Sequence, residues 1–303
     1  MTLVVGCAPD EQGRSALELA AVLARSSGDD LVVCSVVPSP WFPSMARVDA
    51  EYHAFLDGQA ADVLARAKDA LAPDVTATFV THRARSAPAG LLEVTEQQGA
   101  RLVVVGSSTA GALGHVTLGS VTDRLLHSSP VPVAVATRGF RAKPDARLGR
   151  VTAAYGGTDR EEQLVIAAAL VAARLNASLR LASFAVWSRP DYSTRLGTEG
   201  EDPVLADWLA DMRAATAATL ADVAALPEVP DELDAVVGIG PTWESALEDV
   251  PWEEGDLLAI GSSSVGPVAR VFLGSRATKI VRHSPVPVVV VPRAASERVV
   301  AQA

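Results

Sequence analysis

The sequence predicts an α/β protein built from two copies of one parallel-sheet unit, and three observations carry that prediction. Apolar strands alternate with helical stretches along the whole chain. The strands are apolar almost throughout, as in a sheet covered by helices on both faces. A glycine-bracketed stretch also occurs twice: GSSTAGALGHVTLGS (Gly106 to Ser120) and GSSSVGPVARVFLGS (Gly261 to Ser275) match at eight of fifteen positions, 155 residues apart. The same offset places Ser129-Pro130-Val131-Pro132-Val133 on Ser284-Pro285-Val286-Pro287-Val288. From Gly106 to Ala136, fourteen of 31 paired positions are identical. Chance pairing would give roughly three or four, so the chain is a duplication. Upstream, LVVGCAPDEQGRSALELAAVLA corresponds to VTAAYGGTDREEQLVIAAALVAARL at an offset near 148.

Each element of the first copy has its own signal. Leu3–Cys7 is a short apolar strand. A helix follows from about Gln12 to Ser26, with Leu17, Ala20, Ala21 and Leu23 on one face. Leu31–Val37 is the second strand, and the proline-rich PSPWFPS leads into a long amphipathic helix over Val48–Leu71. Val75–Thr81 is a strand, Pro88–Gln98 a helix, and Leu102–Val105 a strand ending at Gly106. After the glycine loop come a helix from Ser120 to His127 and a last strand at Val131–Ala136. The second copy repeats this order, with strands near Val151–Ala154, Leu179–Val186, Ala235–Val237, Leu257–Ile260 and Val286–Val291. The final strands are apolar sheet edges and are expected to pair the two copies. Pro132 and Pro287, tolerated only at an edge or a strand start, limit the length of that pairing.

The domains are therefore 1–138 and 150–293, with a linker at 139–149 and a tail at 294–303. Thr137–Arg150 is polar and carries five basic residues, either a solvated linker or a surface for an anionic contact. The chain has 303 residues and a net charge of −10, which argues against a nucleic-acid or anionic-membrane surface. The longest apolar run, Val165–Ala173, falls short of the ~18 residues of a membrane span, and MTLVVGCAPD reads as a strand, not as a leader. Cys7 and Cys34 lie in predicted strands and suit a reducing, cytoplasmic setting as buried thiols; a disulfide or metal site is the alternative.

In an open parallel sheet, ligands sit beyond the carboxyl ends of the strands where strand order reverses, and the glycine loop after each fourth strand stands there. Gly106, Gly119 and Ser120, with Gly261, Gly274 and Ser275, would let free N–H groups at a helix start meet a phosphate without lysine. The missing lysine excludes only the Walker arrangement. The alternative is that Ser120 only caps its helix, with Asp123 completing an S-x-x-D box.

Two copies of this strand–helix alternation, a G-x2-G-x9-G-S loop and a terminal P-V-P-V strand resemble a tandem universal stress protein over nearly the whole chain. The resemblance implies an open, Rossmann-like five-stranded parallel sheet in each half, of the adenine nucleotide alpha-hydrolase type, and pseudo-twofold packing of the halves. It also implies that some members bind ATP or AMP and others bind no nucleotide. Nucleotide-binding members carry an acidic residue in a D-G-S turn after the first strand. Here that turn reads Ala8-Pro9-Asp10 and Gly156-Gly157-Thr158, so the acid is missing from both copies. The second loop glycine is replaced by Thr109 and Ser264. The expected nucleotide site thus comprises Ala8, Gly106, Ser108, Thr109, Gly119, Ser120 and Val121 in the first half. In the second it comprises Gly156, Gly261, Ser263, Ser264, Gly274, Ser275 and Arg276. ATP or AMP would bind weakly or not at all. If one copy binds, the first is favoured because it retains Gly119-Ser120-Val121-Thr122. Arg276 either reaches a phosphate or pairs with an acidic neighbour.

No catalytic constellation is legible. His53, His82, His115, His127 and His283 form no HxxxH or HExxH spacing, no G-x-S-x-G elbow occurs, and Gly238-Ile239-Gly240 lacks a third glycine. His115 could touch a phosphate, although Arg270 takes its place in the second copy. Trp41 and Trp187 follow the second strand of each copy and could line a pocket mouth. The expected function is a cytoplasmic stress-response regulator that needs no metal. It would be a pseudo-dimeric monomer or a homodimer with no nucleic-acid or membrane partner. A nucleotide-independent adaptor is the alternative, and a slow ATP hydrolase a lesser one.

Overall fold

The computed structural model describes residues 2–39, 46–157, 159–187, 203–264 and 271–301. The first half runs β1 (Thr2–Gly6), α1 (Glu11–Ser27), β2 (Asp30–Pro38), α2 (Ala46–Ala70), β3 (Ala77–Ala84), α3 (Ala87–Gln97), β4 (Leu102–Gly106), α4 (Ser120–Ser128) and β5 (Val133–Ala136). The second runs β6 (Arg150–Ala154), α5 (Asp159–Arg174), β7 (Ser178–Val186), α6 (Pro203–Ala224), β8 (Leu233–Gly240), α7 (Trp243–Glu248) and β9 (Asp256–Gly261). A short hairpin, β10 (Ser263–Ser264) and β11 (Val271–Phe272), precedes α8 (Ser275–His283), β12 (Val288–Val291) and α9 (Arg293–Ala301). The hairpin has no counterpart in the first half. Residues 294–301, expected to be a tail, instead belong to α9, which packs against α5, buries Ala295 and Ser296, and carries an Arg293–Glu297 pair at 2.8 Å.

Two five-stranded parallel units are present, and they merge into one ten-stranded sheet of order β3-β2-β1-β4-β5-β12-β9-β6-β7-β8. The junction is the expected one. β5 and β12 pair antiparallel, with Val288 opposite Val135, Val289 opposite Ala134 and Val290 opposite Val133. Pro132 and Pro287 stand just before these strands, and their carbonyls accept from Val103 N and Leu258 N at 3.0 and 2.9 Å. The repeated S-P-V-P motif builds the turn that delivers each strand: Ser129 Oγ donates to the Val131 carbonyl and Ser284 Oγ to that of Val286, both at 2.7 Å.

Side chains alternate across the sheet and feed two cores. Leu3, Val5, Val151 and Leu179 point to the face covered by α1, α2, α5 and α6. Val4, Val103, Leu258 and Ile260 point to the face covered by α3, α4, α7 and α8. Both cores run through the two halves without a break. Helix starts are fixed locally: Asp10 accepts from Gln12 N and Gly13 N to cap α1, and Gly28, at φ +68°, closes it in the left-handed region that favours glycine.

The linker between the halves is not merely solvated, because each of its basic residues is engaged within the protein. Arg138 donates to the Gly111 carbonyl, Arg141 to Ser15 Oγ at 3.3 Å, and Arg147 to the Arg25 carbonyl. Lys143 meets Glu254 at 2.8 Å, and Arg150 grips Asp256 through two bonds of 2.8 Å. Arginine's several donors let it satisfy carbonyls and carboxylates alike, so the segment is laced to both halves.

Candidate functional site

Strand order reverses between β1 and β4, and again between β6 and β9. The predicted residues gather at the carboxyl ends of these strands. In the first half Ser107, which sequence reasoning passed over, organises the loop. It is buried, and its Oγ accepts from Thr117 N at 2.6 Å and faces the Thr117 and His115 carbonyls at 3.2 and 3.4 Å. Ser108 N donates to the Thr117 carbonyl at 2.8 Å, Gly114 N to that of Arg138 at 2.9 Å, and Arg138 N to that of His115 at 2.9 Å. The loop is thus closed on itself and on the linker. The loop also bonds to the second half, from Val116 N to the Ser284 carbonyl at 3.4 Å.

Gly106 and Gly261 are the same motif residue in different surroundings. A Cβ on Gly106 would lie 2.2 Å from the Gln12 carbonyl oxygen, so the approach of α1 demands glycine there. Among the described residues a Cβ on Gly261 would meet only Leu164, whose Cδ2 lies at an ordinary 3.5 Å. Gly119 and Gly274 are different again. They are the N-caps of α4 and α8, at φ −89° and −60°, which any residue adopts, and neither helix has a side-chain cap. A Cβ on Gly119 would meet Ser108 at 3.4 Å, and one on Gly274 would meet none of the described residues within 4 Å. Packing among the described residues does not require these two glycines. They leave the N–H groups of each first turn open to approach.

Ser120 is the first residue of α4 and does not cap it, so the S-x-x-D box does not form. Val121 packs against the core beneath, and Thr122 Oγ1 donates to the Gly106 carbonyl at 3.3 Å. Gly106, Ser108, Gly119 and Thr122 are thereby brought together. Thr109 is exposed. In the second half Ser263 and Ser264 form strand β10, and Ser275 begins α8.

The first turns differ in charge. That of α4 carries Asp123, whereas that of α8 carries no acid and includes Arg276. Arg276 is exposed, and among the described residues it pairs with no carboxylate. A cation in a first turn opposes the helix dipole and adds to its pull on an anion. This local charge favours the second half for phosphate, the reverse of the sequence-based ranking.

At the other end of each site, Ala8 and Gly156 offer no carboxylate of their own. Asp10, two residues beyond Ala8, is committed to capping α1. A Cβ on Gly13 would lie 2.1 Å from the Ala8 carbonyl oxygen, which fixes glycine at that position. The second half carries Glu161 at the matching place, and its carboxylate accepts from Gly156 N at 2.9 Å. An acidic group does reach this turn, therefore, from a helix and not from the strand end. The T-x-x-E spacing of Thr158 and Glu161 was a signal for it.

Trp187 continues β7 by donating its N–H to the Gly240 carbonyl at 3.0 Å, while Trp41, Thr158 and Arg270 lie outside the described residues. His127 and His283 fall in the last turns of α4 and α8. Cys7 belongs to one core and Cys34 to the other, so strand alternation turns the thiols to opposite faces and no disulfide joins them. Burial pushes the Cys7 thiol up to about 11, with the Arg66 guanidinium pulling it back, and Cys34 up to about 12. Among the described residues no helix is long and apolar enough to cross a membrane.

Comparison with known proteins identifies the same architecture. The Universal stress protein family profile matches residues 1–137 and 148–292. A universal stress protein of Mycobacterium tuberculosis is 40% identical over 299 residues, spanning 96% of this chain and 100% of that protein. A crystal structure of a universal stress protein from Archaeoglobus fulgidus superposes with a TM-score of 0.64 at 20% identity, covering 96% of this chain and 98% of its own. A universal stress protein solved in complex with cAMP matches 46% of this chain and 97% of its own at 26% identity, with a TM-score of 0.32.

Proposed function

The chain belongs to the universal stress protein family, and on that premise we propose that it is a cytoplasmic stress-response regulator with a reduced ATP- or AMP-binding site in each half and no catalytic turnover. The chief support is the pair of helix starts at Gly119 and Gly274. There, glycine stands where a side chain would fit, and the first-turn N–H groups have no side-chain cap. Oriented N–H groups with open space above them suit a phosphate. The nucleoside end is the weak one: Ala8 carries no carboxylate, and in the second half the carboxylate that reaches the turn, Glu161, is already bound to Gly156 N. Losing a hydrogen bond to a charged group costs about 1.5–3 kcal/mol, which weakens binding about ten- to a hundredfold. Neither glycine loop contains lysine, aspartate or glutamate. Nothing in either loop would position water for attack on a phosphoryl group, so hydrolysis would be slow.

A nucleotide-independent adaptor is the second reading, favoured for the first half by the loop that Ser107 and Arg138 already close. Calorimetric titration of the purified protein with ATP, ADP, AMP and cAMP separates the two. Micromolar or weaker binding supports the reduced site, and no heat with any of the four supports the adaptor. Sub-micromolar affinity, or steady phosphate release abolished by Gly119→Val or Gly274→Val, overturns both.

A further inference from the structure

The halves diverge behind the end of their first strand. Cys7 and Tyr155 are equivalent positions: each N–H donates at 2.9 Å to its neighbouring second strand, to the Cys34 carbonyl in one half and the Ala182 carbonyl in the other. Both side chains point to the face covered by α1, α2, α5 and α6. Tyr155 fills its space. It is only 7% exposed, packs in that core with residues of α5 and α6, and its hydroxyl accepts from Thr219 Oγ1 at 2.9 Å. The smaller Cys7 leaves room, and a cavity of about 680 Å³ lies between α1 and α2 in the first half. That volume suits a small organic ligand.

The lining sets the chemistry. Cys7, Leu17, Val63 and Ala67 give an apolar wall, and burial keeps the thiol protonated. Of the charged groups at the rim, Asp10 caps α1 and Glu11 faces Arg141 at 3.6 Å. Arg14, Arg66 and Asp69 remain. Among the described residues neither Arg14 nor Arg66 pairs with a carboxylate, and Arg66 Nε donates only to the Asp62 carbonyl at 3.3 Å. We propose that this cavity binds a small organic anion, its apolar body on Cys7, Leu17, Val63 and Ala67 and its acidic group on Arg14 and Arg66. The cavity shares Ala8, after β1, with the nucleoside end of the first-half site, but Arg14 and Arg66 belong to α1 and α2, whereas α4 packs on the opposite face of the sheet. The anion contacts proposed here come from Arg14 and Arg66 and not from the first turn of α4.

The test uses 8-anilinonaphthalene-1-sulfonate, an apolar fluorophore with one sulfonate, titrated into folded full-length protein. One saturable site per chain is expected. The exposed pair Arg14→Ala/Arg66→Ala should weaken it at least roughly tenfold, and Cys7→Tyr should remove it by restoring the side chain of the second half. Gly119→Val should leave it unchanged. Displacement by decanoate assigns a carboxylate ligand and displacement by AMP a phosphate monoester. Displacement by neither, absence of saturable binding, or wild-type affinity in the double arginine variant overturns the proposal. Should Cys7→Tyr unfold the protein, the arginine pair decides alone. Tyr155→Cys opens the matching space beside Glu162, where the first half has Arg14, and should create no second site; a second site there would mean that volume alone suffices and would refute the role given to the arginines.

Discussion

Compared at the ends of their first strands, the two halves agree in backbone and disagree in almost every side chain. Both keep the bond from the residue after the strand to its neighbour, and both keep the Ser-Pro turn that delivers the last strand. Yet Cys7 stands against Tyr155, Gly13 against Glu161, and Asp123 in the first turn of α4 against an acid-free first turn with Arg276 in α8. Duplication preserved what the sheet needs and let each crevice change separately. The same residue can even be retained for different reasons: packing fixes Gly106, whereas its partner Gly261 has room for a methyl group.

The largest difference is expected at the opposite end of the sheet. In the second half Arg150 holds Asp256, whose side chain is 2% exposed, through two 2.8 Å bonds. In the first half Asp29 is the buried acid and its partner Arg101 is 46% exposed. Removing one member of a buried pair leaves an uncompensated charge at a cost of about 3–5 kcal/mol. Glu253 N still donates to Asp256 at 2.8 Å, so Arg150→Met should fall at the lower end, about 3 kcal/mol. Arg101→Met should cost less, because water already reaches that guanidinium. Urea denaturation of the two variants measures this, and equal losses would remove the contrast.

Next in size is the glycine pair. Gly106→Ala drives a methyl group into the Gln12 carbonyl and should cost about 1–3 kcal/mol by overpacking. Gly261→Ala meets no such contact and should be neutral or stabilising by up to about 0.4–1 kcal/mol, through the lost freedom of the unfolded chain. Opposite signs in thermal unfolding would confirm that one motif glycine is structural and the other is not. Losses of similar size would show that α5 approaches β9 as closely as α1 approaches β4.

Most of the fold was legible because strand apolarity, helix periodicity and the internal repeat point the same way. Even the meeting of β5 and β12 followed from an apolar edge and the placement of Pro132 and Pro287. Three things were not legible, for physical reasons. The linker arginines look solvated in sequence, but their partners are carbonyls and acids far along the chain, such as Arg25 and Asp256. Ser107 is one serine among several, and only its burial shows that it ties the loop. Cys7 reads as a small core residue, and the space it leaves becomes visible only beside Tyr155. Motif glycines are the sharpest case: their spacing marks the site, but whether a helix or a ligand needs the space depends on contacts that the sequence does not order.

The smallest effect tests whether local charge ranks the two crevices. Both helix starts offer uncapped N–H groups, so the difference between them should lie in Asp123 and Arg276. A charge in the first turn changes the interaction with an anion by about 0.3–1 kcal/mol, roughly two- to fivefold in affinity. With ADP as the calorimetric probe, Arg276→Ala should therefore weaken binding at the second half by that factor. Asp123→Asn should strengthen binding at the first half by a similar factor, and raising the salt concentration should shrink both effects. Gly274→Val and Gly119→Val assign each effect to its half, because a branched side chain on the N-cap would stand where the phosphate approaches and, at Gly274, is met by no atom of the described residues within 4 Å. Binding that survives Gly274→Val and disappears with Gly119→Val would place the stronger site in the first half. It would also mean that the shape of the closed loop around Ser107 outweighs first-turn charge in deciding which crevice holds an anion.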